Sequence, residues 1–231
     1  MSKKQTLVVL TGAGISAESG IPTFRDANGL WEGHDVHEVA SPMGWHKNPA
    51  LVLEFYNQRR QNVLAVKPNQ AHYLLGKLED YYDVYIITQN VDNLHELGGS
   101  RNVMHLHGEL LKSRSSANPL LIYDQTTDIK MGDLCEKGSQ LRPHIVWFGE
   151  DVPLIADAME LAASADIFAV IGTSMQVYPA ANLINYVPHH SPKFYIDKNP
   201  AQLHIHDLVT IADVASTGVA TWIKNYLKID L

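Results

Sequence analysis

Leu7-Val8-Val9-Leu10-Thr11-Gly12-Ala13-Gly14-Ile15-Ser16-Ala17-Glu18-Ser19-Gly20-Ile21-Pro22-Thr23-Phe24-Arg25-Asp26 is the stretch on which the fold turns. The apolar run Leu7–Leu10 has the composition of a strand buried on both faces, and it leads straight into glycine. Gly12, Gly14 and Ala17 fit the G-x-G-x-x-G/A spacing of a dinucleotide loop. In such a loop the glycines allow a tight turn and close approach to a pyrophosphate, and the following helix offers its first N–H groups to the anion. The same spacing also describes a plain strand-to-helix turn, so at this level both readings stand.

The residues beyond the loop do not suit an ordinary dehydrogenase. There the helix continues to a second strand that carries an acidic residue about 20 positions on. Here Gly20 and Pro22 stop the helix early. The stretch from Thr23 to Glu32 holds Phe24, Arg25, Asp26, Gly29 and Trp31 with no strand pattern. A dinucleotide loop opening into a polar-aromatic flap points to an enzyme that acts on the dinucleotide itself.

Other short β-rich runs are Val84–Thr88, Ile167–Ile171 and Lys193–Ile196, and helical patterns cover Ala50–Val66, Asn69–Leu78, Val152–Ala163 and Tyr178–Tyr186. This alternation predicts an α/β fold with a Rossmann-like, doubly wound parallel sheet. The chain reads as one domain over residues 1–231, with insertions at roughly 27–68 and 112–143 forming a smaller lobe. The strand ends carry the polar residues: Thr88-Gln89-Asn90-Val91-Asp92-Asn93-Leu94-His95, Gly172-Thr173-Ser174, and Asp197-Lys198-Asn199-Pro200. In an open parallel sheet these ends line one ligand crevice. Each segment alone also serves as a helix cap or a turn.

The chain has 231 residues, 45% of them hydrophobic, which is enough for a sizeable core. A net charge of −7 argues against broad nucleic-acid binding. No stretch approaches transmembrane length, and the apolar run after Lys3-Lys4 is too short for a signal peptide, so the expected compartment is the cytoplasm. Cys135 is the single cysteine, so neither an intrachain disulfide nor an all-cysteine metal site can form.

Gly12–Asp26, Thr88–His95, Leu106-His107-Gly108-Glu109, Val146-Trp147-Phe148-Gly149-Glu150 and Gly172-Thr173-Ser174-Met175-Gln176-Val177-Tyr178-Pro179 together resemble the sirtuins, the NAD-dependent protein-lysine deacylases. The resemblance spans almost the whole chain in the family's order. It implies NAD as cofactor and an acyl-lysine protein or peptide as partner, bound between the sheet domain and a small lobe. It leaves the oligomeric state open, a monomer included. NAD is expected along Gly12, Ala13, Gly14, Ala17, Ile21, Thr23, Phe24, Arg25 and Trp31, with Ala13 and Gly14 near the phosphates. Asp92 and the Ile21 backbone are expected at the nicotinamide, and Gln89 and Asn90 at the ribose and a water. Gly172, Thr173 and Ser174 match ribose and phosphate contacts. Asp197 stands where the family often has Asn at the adenosine ribose, and Asn199 and Ala215 complete the cofactor set. His107 takes the general-base position and draws a proton from a ribose hydroxyl; an imidazole of ordinary pKa about 6.5 suits that task. The expected products are lysine, nicotinamide and O-acyl-ADP-ribose. His105, two residues away on an extended segment, should face the other side. Val146, Trp147, Phe148 and Gly149 are expected to offer a strand edge to the substrate peptide.

Acyl preference turns on the helix Ala50–Val66, where Val52, Phe55, Tyr56, Arg59, Val63 and Val66 share one face at a period of about 3.6. Arg59 therefore sits in an apolar stripe, with Arg60 toward its flank, and needs an anion or a route to solvent. The Tyr56/Arg59 pair resembles the Tyr-x-x-Arg signature of class III sirtuins. That resemblance implies removal of succinyl, malonyl or glutaryl groups, with acetyl removal alongside. A structural salt bridge to Arg59 is the other reading. The sequence departs from the family at the zinc site. Most sirtuins have two C-x-x-C pairs there, whereas this chain has Ser115, Ser116, Asn118 and Leu134-Cys135-Glu136-Lys137, so no metal is expected. Packing of Leu120, Leu121, Ile122 and Leu134 is the expected substitute. Two other functions fit the NAD pocket: a protein ADP-ribosyltransferase or glycohydrolase, and a noncatalytic NAD sensor.

Overall fold

The computed structural model describes residues 4–23 and 33–231, and the backbone of 30–31. Eleven strands are described: β1 (Thr6–Thr11), β2 (Leu30–Trp31), β3 (His34–Asp35), β4 (Asp83–Thr88), β5 (Val103–His105), β6 (Gly108–Ser115), β7 (Ile122–Asp124), β8 (Leu141–Ile145), β9 (Ile167–Ile171), β10 (Lys193–Asp197) and β11 (Leu208–Ala212). Six of them form one sheet in the order β11-β10-β9-β1-β4-β5. All five pairings in it are parallel. Counted along the chain, this is the 3-2-1-4-5-6 order of a doubly wound fold, and it reverses between β1 and β9.

Alternation along β1 sends Leu7 and Val9 into one core and Val8 and Leu10 into the other. The first core includes residues of the helices Gln70–Lys77 and Ala215–Trp222. The second includes residues of the helix Ile155–Ala163 and of a 3-10 helix over Ala180–Tyr186. Leu7 through Leu10 are wholly buried, and each contributes roughly 1.5–3 kcal/mol relative to exposure. The expected α-helix at Tyr178–Tyr186 is thus a 3-10 helix that starts later. Strands β5 and β11 and the helix Ala215–Trp222 carried no clear sequence signal. β5 has only three residues, and β11 is a half-exposed edge strand.

The smaller lobe is built from the antiparallel sheet β7-β6-β8 and the helix Pro49–Ala65. Asn48 caps that helix by accepting from the Leu51 N–H, and Pro49 opens it. Val52, Phe55, Tyr56 and Val63 of the helix pack on Leu110, Ile145 and Trp147 of the lobe. Arg60, expected on the flank, is fully buried: its Nε donates to the Leu110 carbonyl and its Nη1 to Asn57 Oδ1. The expected leucine packing at the lobe tip is not found. Leu120 is 84% exposed, Leu134 56% and Ile122 44%. Ser115 Oγ instead accepts from the N–H groups of Ala117 and Asn118 and from Cys135 Sγ, while the Cys135 N–H donates to the Ser139 carbonyl. Among the described residues no helix is long and apolar enough to cross a membrane.

Candidate active site

The loops after β1 and β9 meet at the point where the strand order reverses. The Gly12 N–H donates to the Ile171 carbonyl at 3.1 Å, and the Gly14 N–H to the Gly172 carbonyl at 2.7 Å. A Cβ on Gly14 would lie 2.7 Å from Gly172 Cα. Gly172 has φ +62, and a Cβ there would lie 2.3 Å from the Ile15 N. Both positions therefore require glycine, first of all because two loops pass through one another's side-chain space. The helix after Gly12 is a single turn, Gly14–Ala17, ending before Gly20 at φ +96 as the sequence predicts. The N–H groups of Gly14, Ile15 and Ser16 donate to the carbonyls of Gly172, Gly12 and Ala13, so the expected helix-terminus anion cradle is reduced here to the loop around Ala13.

A cavity of about 690 Å³ opens at this crossing and extends between the sheet and the lobe. Gly12, Ala13, Gly14, Ala17, Ile21, Thr23, Gln89, Asn90, Asp92, His107, Gly172, Thr173, Ser174, Asp197, Asn199 and Ala215 line it. So do Tyr56, Arg59, Val146, Trp147, Phe148 and Gly149 from the lobe side. Phe24 and Arg25 lie outside the described residues, and Trp31 is described for its backbone only.

At the inner end, Asn90 Nδ2 donates to Ser16 Oγ at 3.1 Å, and Ser16 Oγ donates to Asp92 Oδ2 at 3.0 Å. Asp92 Oδ1 accepts from the Leu94 N–H at 3.1 Å. Burial raises the Asp92 pKa, against the opposing pull of these bonds. Gln89 Nε2 donates to Thr173 Oγ1 at 3.0 Å, tying the β4 loop to the β9 loop. His107 Nδ1 lies 3.0 Å from the Gln89 carbonyl. A carbonyl only accepts, so Nδ1 carries the proton and Nε2 is the basic nitrogen. Burial lowers the His107 pKa more than the Gln89 bond raises it, so the ring is neutral at pH 7. His105 faces the other side, as the alternation predicts: its Nδ1 lies 3.0 Å from the Asn90 carbonyl and its Nε2 2.7 Å from Glu96 Oε1.

At the outer end, Tyr56 is fully buried and Arg59 is 8% exposed. The Arg59 guanidinium lies 5.3 Å from the Phe55 ring centroid. The Trp147 indole donates to the Tyr56 hydroxyl at 3.1 Å. Desolvation raises the Tyr56 pKa well above a phenol's usual value, so the hydroxyl is neutral. Contrary to expectation, Val146–Glu150 is not a strand: β8 ends at Ile145. The N–H groups of Val146 and Phe148 are taken by the carbonyls of His107 and Ala40, and that of Trp147 by Glu150 Oε2. Gly149 closes the resulting turn at φ +89. Ser16 and Glu150 were not singled out from the sequence. A serine inside the glycine loop was the available signal for the first. The second shows its role through Arg114 and Arg142, which the fold brings to its carboxylate.

A Sir2 family sequence model matches residues 12–179. The chain belongs to the Sir2 family. A curated NAD-dependent protein deacylase of Helicobacter pylori (strain ATCC 700392 / 26695) is 56% identical over 201 residues, covering 87% of this chain and 88% of that protein. One from Bacteroides thetaiotaomicron is 54% identical over 222 residues, covering 93% and 95%. A solved Sir2 homologue–NAD complex superimposes with TM-score 0.85 at 38% identity, covering 97% of this chain and 90% of that one. A Sir2 complex with a deacetylated peptide and 3′-O-acetyl-ADP-ribose gives TM-score 0.80 at 29% identity, covering 96% and 94%. This sirtuin thus shares its family's fold over nearly its whole length.

Proposed function

We propose that this sirtuin, an NAD-dependent protein deacylase, removes succinyl and malonyl groups from protein lysine, and acetyl groups as well. The observation that carries the acyl reading is the placement of Tyr56 and Arg59 in the same cavity as His107. A buried guanidinium one helical turn from a buried, neutral phenol can receive a carboxylate through two parallel bonds from Arg and one from Tyr. The donor set suits NAD. The crossed glycine loops and Gly172–Ser174 would hold its diphosphate and ribose, Asp197 and Ala215 its adenosine end, and Asp92 its nicotinamide amide. Bound NAD supplies an electrophilic ribose carbon for the acyl oxygen, with nicotinamide as leaving group.

The chain's own residues do the rest. Asn90 and Gln89 orient the ribose and a water, with Asn90 steadied by Ser16 and Gln89 by Thr173. Neutral His107, fixed by Gln89, takes the ribose hydroxyl proton on Nε2. The residues from Val146 to Gly149 flank the acyl-lysine. Mass spectrometry of matched acetyl- and succinyl-lysine peptides, with and without NAD, tests this reading. The expected result is NAD-dependent removal of both with succinyl favoured. Acetyl removal alone would leave Arg59 a structural residue, and NAD cleavage without deacylation would reject the whole reading.

A further inference from the structure

Glu150 lies at the centre of a charged cluster beside the acyl end of the cavity, outside the residues assigned a role above. Arg142 donates to both its carboxylate oxygens, Nη1 to Oε1 at 2.8 Å and Nη2 to Oε2 at 3.2 Å. Arg114 Nη2 donates to Oε1 at 3.3 Å and Oε2 at 3.1 Å. The same carboxylate accepts from the Trp147 N–H at 2.8 Å, and the Glu150 N–H donates to the Trp147 carbonyl at 3.0 Å. Arg142 continues the grip, with its guanidinium carbon 3.2 Å from the Trp147 ring centroid. Glu150 thereby fixes Trp147 by its backbone, and through Arg142 by its ring face. Trp147 in turn meets Tyr56 through its indole N–H at 3.1 Å.

An indole N–H can only donate, so the Tyr56 oxygen accepts here and its proton is directed away from the indole. Without that constraint the phenol could turn its proton elsewhere, or present its oxygen to an incoming anion and repel it. We infer that Glu150 is a positioning residue for acyl selectivity, acting through Trp147 to make the Tyr56 hydroxyl a donor toward an acidic acyl chain. This rests on the reading that Tyr56 and Arg59 receive a carboxylate. The two arginines offset the negative charge that Glu150 would otherwise project at that ligand.

The experiment compares the intact enzyme with its E150Q and W147F variants on acetyl- and succinyl-lysine peptides, determining KM and kcat for each. A phenylalanine keeps an aromatic ring and removes the N–H while leaving the Glu150 cluster in place, which covers the case in which E150Q fails to fold. The succinyl-to-acetyl ratio of kcat/KM is expected to fall about tenfold in both variants, as for loss of one well-aligned bond to a charged group, with the change in the succinyl KM. Equal losses on both peptides would reduce the cluster to a fold element and overturn the inference. So would a rise in the ratio for E150Q, which is what removing a nearby negative charge does when charge alone decides. If the unaltered enzyme removes no succinyl group, the Tyr56–Arg59 reading fails and takes this one with it. If the unaltered enzyme favours succinyl and both variants keep its ratio, only the Glu150 relay fails.

Discussion

The two ends of the cleft solve opposite problems. At the inner end, Asp92 is a buried carboxyl group held by the Leu94 N–H and by Ser16, which Asn90 steadies in turn. At the outer end cations crowd together: Arg59 lies beside Tyr56, and Arg114 and Arg142 share Glu150. Hydrogen-bonded, exactingly placed groups suit a site where the reacting charges belong to the substrates and arise only transiently. A guanidinium held in an apolar stripe suits a permanent negative charge on the ligand. On the proposed reading the inner end serves deacylation in general, and the outer end sets which acyl group is preferred.

Loss of His107 should separate the two ends most sharply. His107→Ala is expected to lower turnover of acetyl- and succinyl-lysine peptides alike by about 10²–10⁴-fold, the usual contribution of a general base. NAD binding, measured by calorimetry, should change little. Turnover that survives would remove His107 from the mechanism. The lowered pKa has a consequence of definite sign: since burial disfavours the imidazolium, the basic form persists below pH 6.5, and the acid limb of kcat/KM lies below that value.

Arg59→Met tests the outer end alone. The succinyl kcat/KM should fall by about 10²-fold, in line with the roughly 2–5 kcal/mol cost of breaking a buried charge pair. The acetyl value should hold within a few-fold. Equal losses would make Arg59 part of the fold, and the contrast between the two ends would then disappear.

The sequence carried the frame of this molecule better than its joints. Leu7–Leu10 and Ile167–Ile171 were legible as buried strands because every residue is apolar, and the glycine loop could be placed from them. Most of the candidate site residues came from extended motifs, while Tyr56 and Arg59 also stood out by helical periodicity. Val146–Glu150 misled, because Val, Trp and Phe favour strands while their N–H groups are claimed by His107, Glu150 and Ala40. Such claims depend on tertiary neighbours that no local pattern encodes. The same holds for Ser16 bridging Asn90 and Asp92, and for Arg60, whose Nε reaches the Leu110 carbonyl only in the folded lobe.

Behind the inner end, His72 is fully buried and its pKa is lowered to about 4, chiefly by desolvation. Its ring packs on that of His95, 5.0 Å between centroids. The unfolded chain protonates this histidine near pH 6.5, while the native state resists until about pH 4. The unfolded state thus binds more protons in that window, and stability falls as pH drops through it. The loss for this one group is on the order of 3 kcal/mol. Urea unfolding at pH 6.5, 5 and 4 should show it, and His72→Gln should flatten the slope. An unchanged slope would assign the acid sensitivity to other groups.

The smallest effect belongs to the tip of the lobe, where most sirtuins place zinc. Ser115 Oγ there closes a turn by accepting from two backbone N–H groups, and it receives Cys135 Sγ at 3.4 Å. A side chain that satisfies turn N–H groups is worth about 1 kcal/mol, as at a helix N-cap. Ser115→Ala should cost about that much in urea unfolding. It should leave the succinyl-to-acetyl ratio untouched, because neither Tyr56 nor Glu150 bonds to Ser115. With a single cysteine in the chain, a thiolate zinc cage cannot form, and a chelator should change neither the melting temperature nor activity. A chelator that did lower both would mean that other ligands hold a metal the lobe requires. The tip would then match the metal-bound sirtuins in function while differing from them in residues.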